Sequence, residues 1–263
     1  MVRNANGKIF AMQLLDNERG RYRFLKGIAP YSAGVVAMSG YEIVHVVFKT
    51  PRPTREGFDH VSRHLAALDL PRHHLCALEL RIPQPLSFPE FRSFNEDYLR
   101  VLDDWDLPAG TLNPVARTNV SPAHSPLAEP VIYAFSYLAP CDKDHQDGTF
   151  IVAGAGDLRD QADLTPQSIV RGGETTVEAM EDKAAVVLKV MTDRLTGLNR
   201  TWKDVTAVDV YTVHPLRELL RTKLLRQMGD SSIHGIRWHF TRPPIEGLEF
   251  EMDVRGVHTE LIL

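Results

Sequence analysis

Arg117 and Glu251 are two charged residues whose types and apolar neighbours suit them to chemistry. Arg117 lies within an otherwise largely apolar segment, residues 115–120. Its planar, permanently charged guanidinium can pair with both oxygens of a carboxylate, and burial in a cleft strengthens that pairing. Glu251 stands between Phe250 and Met252, where desolvation raises the pKa of a carboxyl group toward the range of a general acid or base. The residues themselves therefore indicate only that Arg117 can pair with a carboxylate and that Glu251 can act as a general acid or base.

The elements that position these residues follow from the apolar pattern. Short apolar runs predict strands at residues 35–40, 43–48, 76–82, 115–120, 131–137, 149–154, 205–213, 236–240 and 250–257. Apolar residues at steps of three or four predict amphipathic helices around residues 58–68, 91–102, 177–195 and 216–224. Thr175 or Thr176 is expected to cap the third of these helices.

An internal repeat organises these elements. Residues 77–81, followed by Pro85 and Leu86, correspond to residues 207–211, followed by Pro215 and Leu216, at a constant offset of 207 − 77 = 130. Because 130 is close to half of the 263 residues, the chain is interpreted as two tandem copies of one unit. The polar segment 141–148 is the natural boundary. We therefore predict an α+β fold with two domains, 1–143 and 144–263, each a mixed sheet with two helices on one face.

Composition excludes several classes of function. The net charge of −4 and the pI of about 6.3 provide no basic footprint for nucleic acid. Two cysteines without paired spacing, no apolar leader and no long apolar run favour a cytoplasmic protein that does not associate with membranes. His60 and His64 have a spacing that can hold zinc, but no third ligand is evident nearby, so we predict no metal site.

The order of several short motifs resembles the Rid superfamily of enamine and imine deaminases, also called YjgF-like. The matching segments are residues 38–40, 94–98 and 114–120 in the first half and 152–154, 202–211, 235–237 and 244–251 in the second. The resemblance implies two tandem Rid-like (chorismate-mutase-like) domains and assembly as a homotrimer. It also implies hydrolysis of a carboxylated enamine or imine, without a cofactor, to release ammonia.

The same resemblance implies roles for individual residues. The strand arginine binds the substrate carboxylate and the glutamate places the attacking water, which makes Arg117, Glu251 and Arg237 the catalytic candidates. Arg242 is the alternative to Arg237 in the second half. Tyr133 and Ala153 stand where the family pattern calls for a glutamate and a serine, so one site is expected to combine residues of both halves. Substrate contacts are predicted at Ser39, Gly40, Tyr41, Asn95, Asn119 and Tyr133.

Three functions are compatible with these residues and with the resemblance. The first is a deaminase acting on a small metabolite such as an aminomuconate or a 2-aminoacrylate-like intermediate. The second is a chorismatase-like enol-ether hydrolase, because those enzymes are built from paired domains of the same kind. The third is a metabolite-binding protein without catalysis.

Overall fold

The computed structural model describes residues 2–3, 9–10, 12–124, 127–142 and 148–263. Its helices are α1 (Thr54–Ala67), α2 (Phe88–Asp104), α3 (Val177–Gly197), α4 (Arg217–Leu219) and α5 (Leu225–Met228), and a π-helical turn, Leu220–Leu224, joins the last two. Short 3₁₀ turns lie at Arg72–His74, Pro166–Ser168, Trp202–Asp204 and Gly229–His234. The predicted boundary between the halves, after residue 143, lies outside the described residues.

Fifteen strands are present in the described part of the chain. They are β1 (Val2–Arg3), β2 (Ile9–Phe10), β3 (Leu14–Asn17), β4 (Tyr22–Leu25), β5 (Gly34–Ala37), β6 (Tyr41–Pro53), β7 (Leu75–Arg81), β8 (Ala116–Pro122), β9 (Val131–Pro140), β10 (Phe150–Gly156), β11 (Ala207–Tyr211), β12 (Arg237–His239), β13 (Thr241–Arg242), β14 (Glu251–Gly256) and β15 (Thr259–Ile262).

Two large sheets dominate the architecture. Sheet 1 has the strand order β12-β11-β14-β10-β5-β4-β3, and sheet 2 has the order β13-β8-β7-β9-β6-β15. Both are mixed, since β11 pairs with β12 and β7 with β8 in parallel while most other pairs are antiparallel. The mixed α+β fold expected from the sequence is confirmed.

The sheets stack between two helical layers. One apolar cluster joins the outer face of sheet 1 to α3, α4 and α5, and a second joins the outer face of sheet 2 to α1 and α2. A third cluster, which includes Phe24, Ile43, Leu138 and Ile151, lies between the sheets. Side chains alternate along each strand, so one face of a sheet packs on helices while the other packs on the second sheet.

Each half of the chain contributes strands to both sheets. Residues 14–37 supply β3, β4 and β5 to sheet 1, whose remaining strands come from residues 150–256. The second half of the chain likewise contributes two strands to sheet 2, since β13 pairs with β8 and β15 pairs with β6. The apolar pattern does not predict β3, β4, β13 or β15, since these strands are only two to four residues long and lack a strong apolar run.

The two longest helices begin at side-chain caps. Ser87 and Glu90 form a reciprocal capping box at the start of α2, and the Thr176 hydroxyl accepts from the Ala179 amide at the start of α3. Thr176, one of the two predicted caps, is thus the residue used. The cap on α2 fixes where its buried face begins, and that face carries Phe91, Asn95 and Tyr98 toward sheet 2.

Candidate active site

Arg117 lies on β8 with its side chain directed toward α2. It is buried, and its Nη2 donates a 2.6 Å hydrogen bond to Oδ1 of Asn95. The guanidinium is enclosed by the rings of Tyr31 and Tyr98, whose centroids lie 4.7 and 4.6 Å from Cζ. Aromatic faces attract a cation without supplying a negative charge. The cage therefore holds Arg117 in place while it remains available to an anion.

Several polar atoms beside Arg117 lack a hydrogen-bond partner. Within the described residues these are Nε and Nη1 of Arg117, both amide atoms of Asn119 and the Tyr98 hydroxyl, all of them buried. Leaving a buried donor unpaired costs about 1–3 kcal/mol, and more for a charged group. Nε and Nη1 lie on different edges of the guanidinium, so a carboxylate can bind along one edge and satisfy one of these open donors together with the second hydrogen of Nη2.

Glu251 is the first residue of β14 and is buried facing sheet 2. On the neighbouring strand, the register with β14 shifts between Val152 and Ala155, so β10 carries one extra residue at this point. Gly154 lies within the bulge, and a Cβ atom built there would come within 2.4 Å of Oε1 of Glu251. The absence of a side chain at residue 154 therefore makes room for the carboxyl group.

Arg194 on α3 reaches the same bulge. Its Nη1 donates to the carbonyl oxygens of Ala153 at 2.8 Å and Gly154 at 3.2 Å. Burial lowers the pKa of Arg194 to about 10, while the carboxyl of Glu251 acts in the opposite direction. Arg194 thus brings a second buried cation to the glutamate.

The environment of Glu251 favours its protonated form. Burial raises its pKa well above the usual value and the carboxyl of Asp253 adds to the effect, while Arg194 and Arg117 act against it. Burial likewise lowers the pKa of Arg117. A glutamate in this condition is suited to donate a proton before it accepts one.

Arg117 and Glu251 line one cavity. The free volume of this cavity is about 30 Å³. Apart from two amide side chains, the rest of its wall consists of aromatic, aliphatic and glycine residues. The wall residues are Tyr31, Phe91, Asn119, Gly154, Gly156, Leu158, Gln161, Leu164, Pro244, Ile245 and Leu248. A more open groove of about 360 Å³ adjoins it, and Ile245 and Leu248 line both spaces. The cavity has room for about one water molecule.

A buried ionic cluster lies between the sheets behind Glu251. Asp253 accepts hydrogen bonds from Thr118 and Tyr211, and Arg255 contacts Asp209 at 2.5 Å. Burial, together with the carboxyls of Asp209 and Glu79, raises the pKa of Asp253 to about 8. Burial lowers the pKa of His45, which faces the same cluster, to about 4. Because Asp253 is two residues from Glu251 on one strand, it links the cluster to the cavity.

The structure brings together four of the residues singled out in the sequence. Arg117, Asn119 and Glu251 line the cavity, and Asn95 supports Arg117. Ser39 and Gly40 form an exposed turn between β5 and β6, and Tyr41 packs on His74. These three lie outside the cavity.

The remaining candidates lie at other places. Tyr133 stacks beneath Arg81 at 4.0 Å, in the ionic cluster. Arg237 is exposed on β12 and pairs with Glu260 through both terminal nitrogens, at 3.1 and 2.7 Å. Arg242 lines the adjoining groove. Of the two arginines left open in the second half, Arg242 is therefore the one next to the cavity.

Three site residues, Tyr31, Gly154 and Arg194, were not predicted from the sequence. For Arg194 a signal existed, because it follows Met191 by three residues on the apolar stripe of α3, where an unpaired charge is unusual. No comparable signal marks Tyr31, which lies in an irregular segment. The need for Gly154 depends on the approach of Glu251 from another strand.

The described residues include no group of three His, Cys, Asp or Glu side chains placed to hold a metal ion. None of their helices is long and apolar enough to cross a membrane.

Comparison with known proteins adds to the geometry. The chain matches the family described as 2-aminomuconate deaminase CnbZ over residues 14–261. It is 37% identical over 244 residues to 2-amino-5-chloromuconate deaminase of Comamonas testosteroni, a match that covers 93% of this chain and 96% of the relative. A solved chorismatase structure is similar with a TM-score of 0.50 and 15% identity, covering 92% of this chain and 78% of that one. At that identity the similarity concerns the fold alone.

Proposed function

The chain belongs to the 2-aminomuconate deaminase family CnbZ, and from this membership we propose that it hydrolyses an enamine of the 2-aminomuconate type and releases ammonia. The observation that carries the proposal is the buried guanidinium of Arg117, whose open donors share a cavity with Glu251. The Comamonas relative is named for a chlorinated aminomuconate, a dicarboxylate with an amino group beside one carboxyl. Arg117 is suited to bind that neighbouring carboxylate.

The first chemical step in this proposal is tautomerisation. Glu251, protonated in its desolvated pocket, donates its proton to the enamine carbon two atoms from the carboxylate. The C=C electron pair forms the new C–H bond and the nitrogen lone pair forms C=N, which leaves an iminium ion and a Glu251 carboxylate. Arg117 and Arg194 then lie near the carboxylate that has formed, and their charges stabilise it.

Hydrolysis completes the reaction. The Glu251 carboxylate takes a proton from water as the oxygen attacks the iminium carbon and the C=N pair returns to nitrogen. Glu251 then protonates the amine, the C–N bond breaks, and the hydroxyl proton returns to Glu251 as the carbonyl forms. Ammonia and a 2-oxo acid leave, and the glutamate is again protonated. Positioning and proton transfer by the chain's own residues account for every step.

The small free volume of the cavity sets a condition on binding. A six-carbon acid needs more than about 30 Å³, so parts of the wall must move on binding. Leu158, Gln161 and Leu164 belong to the wall segment outside strands and α-helices.

We further propose that the chain is a tandem of two Rid-like units, 1–143 and 144–263. The order β8-β7-β9-β6 in sheet 2 matches β12-β11-β14-β10 in sheet 1, with parallel and antiparallel pairs at the same places. The offset of 130 residues relates β7 to β11. The functional consequence is a site that combines Arg117 of one unit with Glu251 of the other.

Ammonia release from 2-aminomuconate, measured with purified protein, tests the proposal. Arg117→Ala and Glu251→Gln are expected to lower kcat/KM by roughly 100-fold or more, since each removes a group that acts on the reacting atoms. Arg226→Ala, at an exposed position of α5, is the matched control. Activity retained in both site variants would exclude these roles. Wild-type protein that cleaves an enol ether on a carboxylated ring but no enamine would instead favour chorismatase-like chemistry.

A further inference from the structure

A row of polar side chains follows β8 away from Arg117. Residues at steps of two on a strand share a face, so Asn119 and Ser121 lie on the same side of sheet 2 as Arg117. Arg242 on β13 pairs directly opposite Ser121 and therefore shares that face. One face thus has a guanidinium at each end and the Asn119 amide between them.

Two neighbouring spaces lie beside this row of side chains. Arg117 and Asn119 line the inner cavity, Arg242 lines the outer groove, and Ile245 and Leu248 form walls of both. Arg242 is half exposed, and its carboxylate contact within the described residues is a long one, 3.8 Å to Glu249. That glutamate accepts a 2.8 Å hydrogen bond from His214 instead. Among the described residues, the Arg242 fork therefore has no close carboxylate partner, and it lines the groove.

We propose that Arg242 binds the second carboxylate of a dicarboxylate substrate whose first carboxylate is held by Arg117. The inference rests on the proposed function, and it assigns the outer groove as the subsite that selects a six-carbon dicarboxylate over a short monocarboxylate. Asn119 lies between the two arginines, beside the carbon chain.

The dimensions agree with this assignment. Arg242 pairs with Ser121, whose Cα atom is about 13 Å from that of Arg117 at ~3.3 Å per strand residue, and the two flexible arginine side chains can adjust the distance between their guanidinium groups. Five bonds join the two carboxyl carbons of an extended six-carbon dicarboxylate, which separates them by about 6.5 Å at ~1.3 Å of length per bond. A hydrogen bond of about 2.8 Å at each end extends the required span to roughly 12 Å. A three-carbon monocarboxylate cannot reach both arginines.

The charges around the groove make Arg242 necessary for such binding. Glu246 and Glu249 also line it. Without Arg242, a distal carboxylate would face these two groups with no cation beside it, and like charges at short range repel. A monocarboxylate ending in a methyl group would not experience this repulsion to the same extent.

The test compares two stable six-carbon probes that differ only at the distal end: muconate, with two carboxylates, and sorbate, with one carboxylate and a terminal methyl. Calorimetric binding to the full-length wild-type protein is expected to favour muconate by about tenfold or more, the size of one charge-assisted hydrogen bond. Arg242→Ala is expected to remove the preference while leaving sorbate binding unchanged, and Arg242→Lys to restore part of it. Arg226→Ala serves as the control for loss of a surface arginine.

The outcomes separate this inference from the proposed function. Equal loss of both probes in Arg242→Ala, or an undiminished preference for muconate, overturns the role of Arg242 even when wild type deaminates 2-aminomuconate normally. A muconate preference that depends on Arg242 supports the subsite even when no ammonia is released. In active protein, Arg242→Ala is expected to lower kcat/KM for 2-aminomuconate while leaving that for 2-aminoacrylate unchanged.

Discussion

At Glu251, neighbouring groups act on one carboxyl in opposite directions. Burial and Asp253 favour the protonated acid, while Arg194 on α3 and Arg117 on β8 favour the anion. Asp157 adds to the first effect. A group held between these influences can donate and accept protons in turn, as the proposed reaction requires. This balance requires the Glu251 carboxyl group to lie close to the backbone of β10, and only a glycine at residue 154 leaves room for it there.

Gly154→Ala is expected to lower kcat at least tenfold. The new Cβ would lie 2.4 Å from Oε1 of Glu251 and 3.0 Å from Cγ2 of Thr118, so the carboxyl must move, and small displacements of a reacting group are costly. Steady-state kinetics with thermal unfolding provides the check. Gly172→Ala is the control, because its Cβ meets nothing nearer than 3.7 Å. An active Gly154→Ala enzyme would show that Glu251 does not need this space.

Arg194 is expected to set the pH dependence through Glu251. In the proposed reaction the resting enzyme needs protonated Glu251, so kcat/KM falls as pH rises through its pKa. The Arg194 charge lowers that pKa. Arg194→Met should therefore move the fall in kcat/KM to higher pH, whereas Arg194→Lys keeps the charge and should stay closer to wild type. A pH–rate profile of all three proteins measures this, and coincident profiles would rule out the coupling.

At the scale of elements, a buried ion pair holds segment 157–170, which forms part of the cavity wall, against α3. Lys183 on α3 bonds to Asp157 at 2.8 Å and to the Val170 carbonyl at 2.6 Å. The other Asp157 oxygen accepts the amides of Glu249 and Phe250, just before β14. One pair therefore connects α3, both ends of segment 157–170 and the entry to the strand that carries Glu251.

Lys183→Met is expected to destabilise the protein by about 3–5 kcal/mol, because it leaves Asp157 buried without its cation. Urea unfolding measures the change. The double variant Lys183→Met/Asp157→Asn removes both charges and should recover part of the loss. On the same helix, Lys189→Met breaks the exposed pair with Asp193 and should cost no more than about 1 kcal/mol. A similar small loss for Lys183→Met would contradict the role of the pair.

At the scale of the whole molecule, the chain halves and the sheets do not coincide. Sheet 1 needs β3, β4 and β5 from the first half, and sheet 2 receives β13 and β15 from the second. The apolar cluster between the sheets also combines residues of both halves, such as Ile43 and Ile151. Separating the halves would expose this cluster and the strand edges that β10 and β15 now cover.

Fragments 1–143 and 144–263, expressed separately, are accordingly expected to lack a cooperative unfolding transition. Mixed or co-expressed, they should associate and regain it. Circular dichroism with thermal unfolding and size-exclusion chromatography provide the measurements. Cooperative unfolding of either fragment alone would show that one half is autonomous despite the shared strands. Deletion of residues 259–263, which removes β15 together with the Glu260 partner of Arg237 but leaves the other shared strands, is expected to give a smaller loss of stability.

Much of this arrangement was predictable from the sequence because it depends on local spacing. Short apolar runs identified the long strands, apolar residues at steps of three or four identified the helices, and the 130-residue offset related β7 to β11. Arg117 and Glu251 were singled out through the family resemblance, and the apolar neighbours of each gave local support to that choice. A charge at such a position is expensive to bury and so indicates a specific use.

Only the tertiary structure decided which distant residues share the cavity. Whether Arg237 or Arg242 lies near Arg117 depends on which strand pairs beside β8, and β13 is too short to be recognised from its own residues. The approach of Arg194 and the space at Gly154 depend on how α3 and β14 pack against β10. The spacing of apolar residues along the chain indicates which face of an element is buried. Non-local packing determines which other element that face contacts.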